Sequence, residues 1–207
     1  MGKWQRRIIF VLSAVAVVGG AGYYWFFVDS SPPSHGAYTI NMAQVRRLAD
    51  SIPGAKVTEI HDEHVADYSF PATAVLAGDG WAKVDIPIQS YQLVFPDHTA
   101  IIDTGLDRKL AKDAAAFNQD AYDRVMGAMD RASLILVTHE HFDHMGGLAR
   151  HPHFEKILGA TRLTKEQVES PYLRPAMLQT EAMHGYKPLV YERYYAVAPG
   201  MVLIKAP

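Results

Sequence analysis

No cysteine occurs among the 207 residues. Disulfides, a thiol nucleophile and thiolate metal ligands are therefore excluded from the chain, although a chain without thiols tolerates either redox compartment. An excess of one charge is also lacking. Lys and Arg number 20 against 22 Asp and Glu, a net of -2, so nothing draws the chain as a whole to nucleic acid. No internal repeat is visible. The hydrophobic fraction of 49% is that of a globular protein and excludes general disorder. The length suits one domain with an appendage.

One long uncharged run is present. Lys3, Arg6 and Arg7 precede Ile8 to Val28, and at about 1.5 Å per helical residue this run spans a hydrocarbon core of roughly 30 Å. Tyr23, Tyr24 and Trp25 fall near its far end, where an aromatic belt lies. Residues 1–28 are read as an N-terminal membrane anchor. The basic flank puts the rest of the chain on the non-cytoplasmic side, periplasmic in a Gram-negative bacterium. A cleaved signal peptide is the alternative, with Gly19-Gly20-Ala21-Gly22 as small residues for cleavage and a secreted product. Residues 29–38, with Asp29-Ser30-Ser31-Pro32-Pro33-Ser34, read as a linker, and 39–207 as the folded domain.

Within that domain, Met42, Val45, Leu48 and Ile52 recur at helical spacing behind Asn41, a possible cap. Val84 to Ile88 and Tyr91 to Phe95 are the clearest early strands, with Pro87 placing the first at an edge or bulge. Thr99 to Ile102 is a buried strand ending at Asp103-Thr104-Gly105. Residues 107–130 read as a polar-faced helix broken near Asn118. Ser133 to Val137 is a further buried strand. Gly146-Gly147-Leu148 is expected to start a helix, and Thr164 to Glu169 to form another, capped by Thr164 and Gln167. Val190 to Ala196 and Met201 to Lys205 read as final strands. Strands and helices alternate, so the fold class is α/β, or α+β with a mixed sheet.

The chemistry concentrates in His139-Glu140-His141-Phe142-Asp143-His144, followed by Met145-Gly146-Gly147. Imidazole and carboxylate suit zinc, and also iron or manganese. In an extended loop His139 and His141 point the same way and can grip one ion. Asp143 and His144 come after a reversal and can face a second. Two ions about 3.5–4 Å apart can share a hydroxide. The cluster follows the carboxyl end of a buried strand, where open α/β sheets place their sites.

This pattern resembles the H-x-H-x-D-H signature of the metallo-β-lactamase superfamily. The resemblance extends from about Val84 to the end and is most specific at residues 138–147. It implies His139 and His141 as ligands of the first metal, Asp143 and His144 as ligands of the second, and Asp143 as the catalytic residue that orients the nucleophile. Glu140 holds a variable position. Histidine at 141 disfavours the diiron flavoprotein branch, which places glutamate there. Asp103 matches the family's aspartate after an earlier strand, a residue that orients a ligand histidine or the loop; a simple Asp turn is the alternative.

The activity implied is a hydrolase that acts on an ester, lactone, amide or thioester bond through metal-bound hydroxide, with two zinc ions (iron or manganese as alternatives). A small-molecule substrate and the membrane are the expected partners. The family's third histidine, bridging carboxylate and later histidine are expected beyond Pro207. The chain itself offers each metal two protein ligands, fewer than the three typical of catalytic zinc. Two other readings stand beside this one: a truncated chain without catalysis, and an iron oxidoreductase of the sulfur dioxygenase kind.

The other histidines are read as structural. His184 does not sit in the family's turn, His61-Asp62-Glu63-His64 suits a solvated face, and His151 and His153 fall in the loop after the motif's helix. Tyr172, Met177, Leu178, Met183, Tyr186, Tyr191, Tyr194 and Tyr195 either shape a substrate pocket or pack against the sheet.

Overall fold

The uncharged run after Arg7 forms one helix, α1 (Lys3–Phe27), in the computed structural model, which describes residues 2–31, 36, 38–171 and 181–206. Pro32, Pro33 and Ser34 of the expected linker, and Tyr172, Met177 and Leu178, lie outside the described residues. By length and composition α1 can cross a membrane, and none of its residues is buried. The chain divides into two compact units. One contains residues 1–37 and 69–86, the other 38–68 and 87–207.

In the larger unit, Asn41 caps α2 (Met42–Ala49) by accepting from the Gln44 amide at 3.1 Å. The strands β1 (Glu59–Pro71) and β2 (Lys83–Val94) each contribute residues to both units. The two early strand segments expected from the sequence are thus one strand. Pro87 is tolerated because β3 (Thr99–Ile102) pairs only with Tyr91 to Val94, so the missing N–H costs no bond to it.

The expected helix over 107–130 is not continuous. A 3-10 turn at Leu110–Asp113 and the short strand β4 (Ala116–Phe117) precede α3 (Gln119–Met129). Asn118 is the cap of α3, accepting from the Ala121 amide at 3.0 Å, not a break within a helix. Ala66 and Asp67 of β1 pair with Phe117 and Ala116, and this ladder outcompetes the local helical preference of the alanines.

Further along come β5 (Leu134–Leu136), α4 (Phe142–Ala149), α5 (Phe154–Leu158), β6 (Thr161–Arg162) and α6 (Lys165–Glu169). The strand order β4-β1-β2-β3-β5-β6 makes one mixed sheet, antiparallel at β2/β3 and parallel at β3/β5 and β5/β6. The expected final strands appear as β7 (Tyr194–Ala198), which starts four residues later than the expected Val190, and β8 (Met201–Ile204), an antiparallel pair forming a second sheet.

Alternation in the buried strands explains the layering. Ile101, Ile135 and Val137 join Val125, Met129, Leu148 and Phe154 in a core under α3, α4 and α5. Ala100, Leu134 and Leu136 point to the other face and join Leu93, Phe95 and Ala198, with Met201 and Leu203 packed against them. Successive side chains of one strand thus feed two cores, which is why these strands read as continuous apolar runs.

Tyr122 of α3 lies in the first core. Burial, then the negative charges of Asp107 and Asp123, push its phenol up to about 12. The folded state holds that proton more tightly than the unfolded chain. The associated stability is therefore complete below pH 10 and is lost as pH rises toward 12, by about 1.4 kcal/mol per pH unit. Chemical unfolding of the protein across this range is expected to lose stability more steeply than that of Tyr122→Phe; parallel curves would remove Tyr122 as the cause.

Candidate metal centre

The motif leaves β5 through Val137 and Thr138, and its histidines fall on a loop and a helix start. Helix α4 begins at Phe142, four residues earlier than the Gly146 start expected from the sequence. Its cap position is His141, whose carbonyl accepts from the amides of His144 and Met145, both at 3.0 Å. Asp143 and His144 are therefore in the first helical turn. The helix turns them back toward His139, and the His139 and His144 ring centroids stand 4.0 Å apart. His139 Nε2 faces His141 Nδ1 at 3.2 Å, and His144 Nε2 lies 3.5 Å from an Asp143 carboxylate oxygen.

Asp103 organises the arrangement from beneath. Its residue is 4% exposed and adopts φ +59°, a left-handed conformation that aspartate enters more readily than most residues. Its carboxylate accepts from the Thr138 amide at 2.7 Å and from the Thr138 hydroxyl at 2.9 Å, and contacts His144 Nδ1 at 2.8 Å. Ser90 Oγ donates to the Asp103 carbonyl at 2.6 Å, tying the turn to β2. Thr138 is the residue that sequence reading missed; a threonine beside a histidine carries no signal until Asp103 is placed below it. Gln167 is a second, donating from Nε2 to the Val137 carbonyl at 2.7 Å and so fixing the end of β5.

Two glycines let α4 come this close. A Cβ on Gly147 would stand 2.0 Å from the Thr104 carbonyl oxygen, and one on Gly146 2.8 Å from Leu110 Cδ1. The contact is hydrogen-bonded throughout. The Thr104 amide donates to the His144 carbonyl at 2.8 Å, the Gly147 amide to the Gly105 carbonyl at 2.8 Å, and the Leu148 amide to Thr104 Oγ1 at 2.9 Å.

The electrostatics separate the imidazoles. Burial, then the neighbouring His144 and His141, hold His139 below the ordinary histidine range, so it is a neutral base. Burial pulls His144 the same way, but its hydrogen bond to Asp103 and the charges of Asp103 and Asp143 together outweigh that and raise it. A neutral imidazole facing a second imidazole, beside a carboxylate-held imidazole, is a donor set for a divalent cation.

A cleft of about 660 Å³ borders the cluster at His139, and Thr138, Glu140, Arg162, Tyr191 and Lys205 also line it. Tyr191 thus lines it. Tyr186 instead packs, its hydroxyl accepting from the Leu163 amide at 2.8 Å, and the Tyr194 hydroxyl accepts from the Asn41 amide at 2.8 Å.

Combined with the alternating α/β order and the mixed sheet, this site has a counterpart among known proteins. The model of the metallo-β-lactamase superfamily matches residues 85–197, more than half of the chain. The chain belongs to the metallo-β-lactamase superfamily. Among solved structures of the same fold, a quorum-quenching N-acyl homoserine lactone lactonase is similar at 17% identity and a TM-score of 0.53, over 73% of this chain and 64% of that one. An N-acyl homoserine lactone hydrolase with the product N-hexanoyl-L-homoserine at its catalytic metal centre is similar at 16% identity and a TM-score of 0.53, over 73% and 66%. A probable metal-dependent hydrolase from Staphylococcus aureus follows at 16% and 0.51, over 71% and 64%. The chain thus spans a little under two thirds of the length of the first of these superfamily members. No curated protein matches significantly.

The other described histidines lie apart from the superfamily motif. His61 pairs with Glu59 at 2.9 Å and His64 with Asp67 at 2.7 Å, both on β1. His184 sits in a turn, its amide donating to the Glu181 carbonyl at 3.0 Å. Asp130, His151 and His153 each offer a ligand atom within 4.8 Å of the others. The His151 ring is engaged by backbone on both sides, with Nδ1 accepting from the His153 amide at 3.1 Å and Nε2 at 3.3 Å from the Met126 carbonyl. That geometry is a buried histidine tying α3 to the loop after α4.

Proposed function

We propose that the chain is a metal-dependent hydrolase centred on His139, His141, Asp143 and His144 and attached to a membrane by α1. His139 and His141 would hold one ion and Asp143 and His144 a second, with zinc as the first candidate for both. The observation that carries this reading is the contact of 2.8 Å between Asp103 and His144 Nδ1. A buried carboxylate that accepts a hydrogen bond from Nδ1–H leaves Nε2 of His144 as the free basic nitrogen, the usual arrangement around a metal-binding imidazole. The facing nitrogens of His139 and His141 support it.

Bound ions would supply Lewis acidity toward a water and a carbonyl oxygen. The chain's own residues do the rest. Asp103 and Thr138 hold the His144 ring in one tautomer and orientation. Asp143 accepts a hydrogen bond from the attacking water and holds it for the carbonyl. The cleft receives an ester, lactone, amide or thioester. Leu189, Tyr191 and Leu203 on its wall suit an acyl chain, and the solved relatives that act on N-acyl homoserine lactones put a lactone first. Lys3, Arg6 and Arg7 ahead of α1 direct this domain to the non-cytoplasmic side.

The test is the metal content of the protein as made in its own cells, together with a panel of esters and lactones. Bound zinc with turnover of a panel member is expected. Iron with oxygen uptake on a persulfide would replace hydrolysis by oxidation, and absence of any bound metal at neutral pH would overturn the reading. A finer check concerns Asp103→Asn, which keeps a side chain tolerant of positive φ but removes the charge under His144. Zinc affinity, read by competition with a chromogenic chelator, is expected to fall about 10–100-fold. Unchanged affinity would leave Asp103 as a turn residue only.

A further inference from the structure

The loop between β1 and β2 has an unusual composition for a connection. From Ala72 to Ala82 its one charged residue is Asp79, and Val75, Leu76 and Trp81 are 54%, 58% and 63% exposed. Connections are normally polar, because they face water. The ends of this one are closed by hydrogen bonds of the Ala72 amide to the Ala82 carbonyl at 2.7 Å and of the Thr73 amide to the Gly80 carbonyl at 2.9 Å. Its side chains are thus presented on a closed hairpin tip.

That tip is fastened to the far end of α1, within the smaller unit. The Phe26 carbonyl, freed by the end of the helix, accepts from Thr73 Oγ1 at 2.7 Å and from the Gly78 amide at 3.1 Å. The Trp81 ring stacks on Phe27 at 4.6 Å, and Phe27 stacks on Tyr23 at 5.3 Å. Gly78, at φ +82°, leaves no room for a side chain, since a Cβ there would stand 2.8 Å from the Ser30 amide nitrogen. The tip is therefore held at Phe26 and Phe27, directly after Tyr23, Tyr24 and Trp25, the residues that mark the headgroup layer if α1 spans a bilayer.

We propose that the 72–82 tip is a second membrane contact, inserting Val75, Leu76 and Trp81 into the headgroup layer of the leaflet where α1 emerges. The occupant of this apolar surface is lipid, and the argument is its continuity with the spanning helix. Tryptophan at that depth places its ring among the acyl carbons nearest the surface and its N–H toward water. The proposal rests on α1 being an uncleaved anchor.

Single-tryptophan versions of the full chain separate the two ideas. One keeps Trp25 (Trp4→Phe, Trp81→Phe), one keeps Trp81 (Trp4→Phe, Trp25→Phe), and one carries Leu76→Trp with all three native tryptophans changed to Phe. Each is reconstituted into phosphatidylcholine–phosphatidylglycerol vesicles brominated either near the headgroup or near the acyl chain ends. Loss of emission in all three, stronger with bromine near the headgroup for the Trp81 and Leu76→Trp chains, is the expected result. Quenching of Trp25 alone would overturn the tip contact and leave the anchor standing. Quenching of none would overturn the anchor and the tip contact with it.

Discussion

Replacing His141 with alanine is expected to lower hydrolysis of the best substrate in an ester and lactone panel by at least ~10³-fold, about 4 kcal/mol of transition-state stabilisation. His141 both faces His139 across 3.2 Å and supplies the carbonyl that starts α4. The substitution keeps the carbonyl and removes the imidazole, so the loss should come with reduced metal content and an intact fold by circular dichroism. His61→Ala is the matched control. Its imidazole pairs with Glu59 on β1, and its removal should leave turnover within about twofold, as exposed pairs contribute little. Retention of activity by His141→Ala would remove this residue from the mechanism.

Gly147→Ala should be the most damaging of the glycine-to-alanine changes. The added carbon would stand 2.0 Å from the Thr104 carbonyl oxygen and 3.0 Å from Met126 Cε. Neither obstacle is a free side-chain end: the first is backbone at the exit of β3 and the second belongs to α3. Helix α4 must move off the sheet, stretching the Gly147–Gly105 and Leu148–Thr104 hydrogen bonds and carrying Asp143 and His144 away from Asp103. A cost of about 3 kcal/mol follows from such overpacking, or a fall in Tm of ~10 °C for a chain of this size. Gly159→Ala is the contrast, since a Cβ there meets nothing within 4 Å. Equal Tm values for the two variants would contradict the close approach.

The sequence made the motif legible because chemistry-bearing residues are dense and adjacent: His139 to His144 stand behind the apolar run of β5, and composition alone selects them. The strands of the central sheet were equally plain, since both faces of Ile101, Ile135 and their neighbours are buried. What failed was competition between local and distant partners. Residues 107–117 carry alanines at helical spacing, but the edge of β1 claims Ala116 and Phe117. The start of α4 at Phe142 was hidden because His141 caps it through its backbone alone, with no side-chain bond to leave a signature. The fastening of Thr73 to Phe26 joins residues 47 positions apart, beyond the reach of any periodicity.

The floor of the site has little mutational latitude. Asp103 requires a side chain that accepts positive φ, Gly147 admits no side chain, and Thr104 engages α4 through both its amide and its hydroxyl. The rim is less restricted: Glu140, Arg162, Tyr191 and Lys205 come from four separate segments and line the cleft with their side chains. Selection for a different substrate can therefore rewrite the rim one residue at a time while inheriting the floor unchanged, so divergence among relatives should accumulate in the walls of the cleft and spare the seam between β3 and α4.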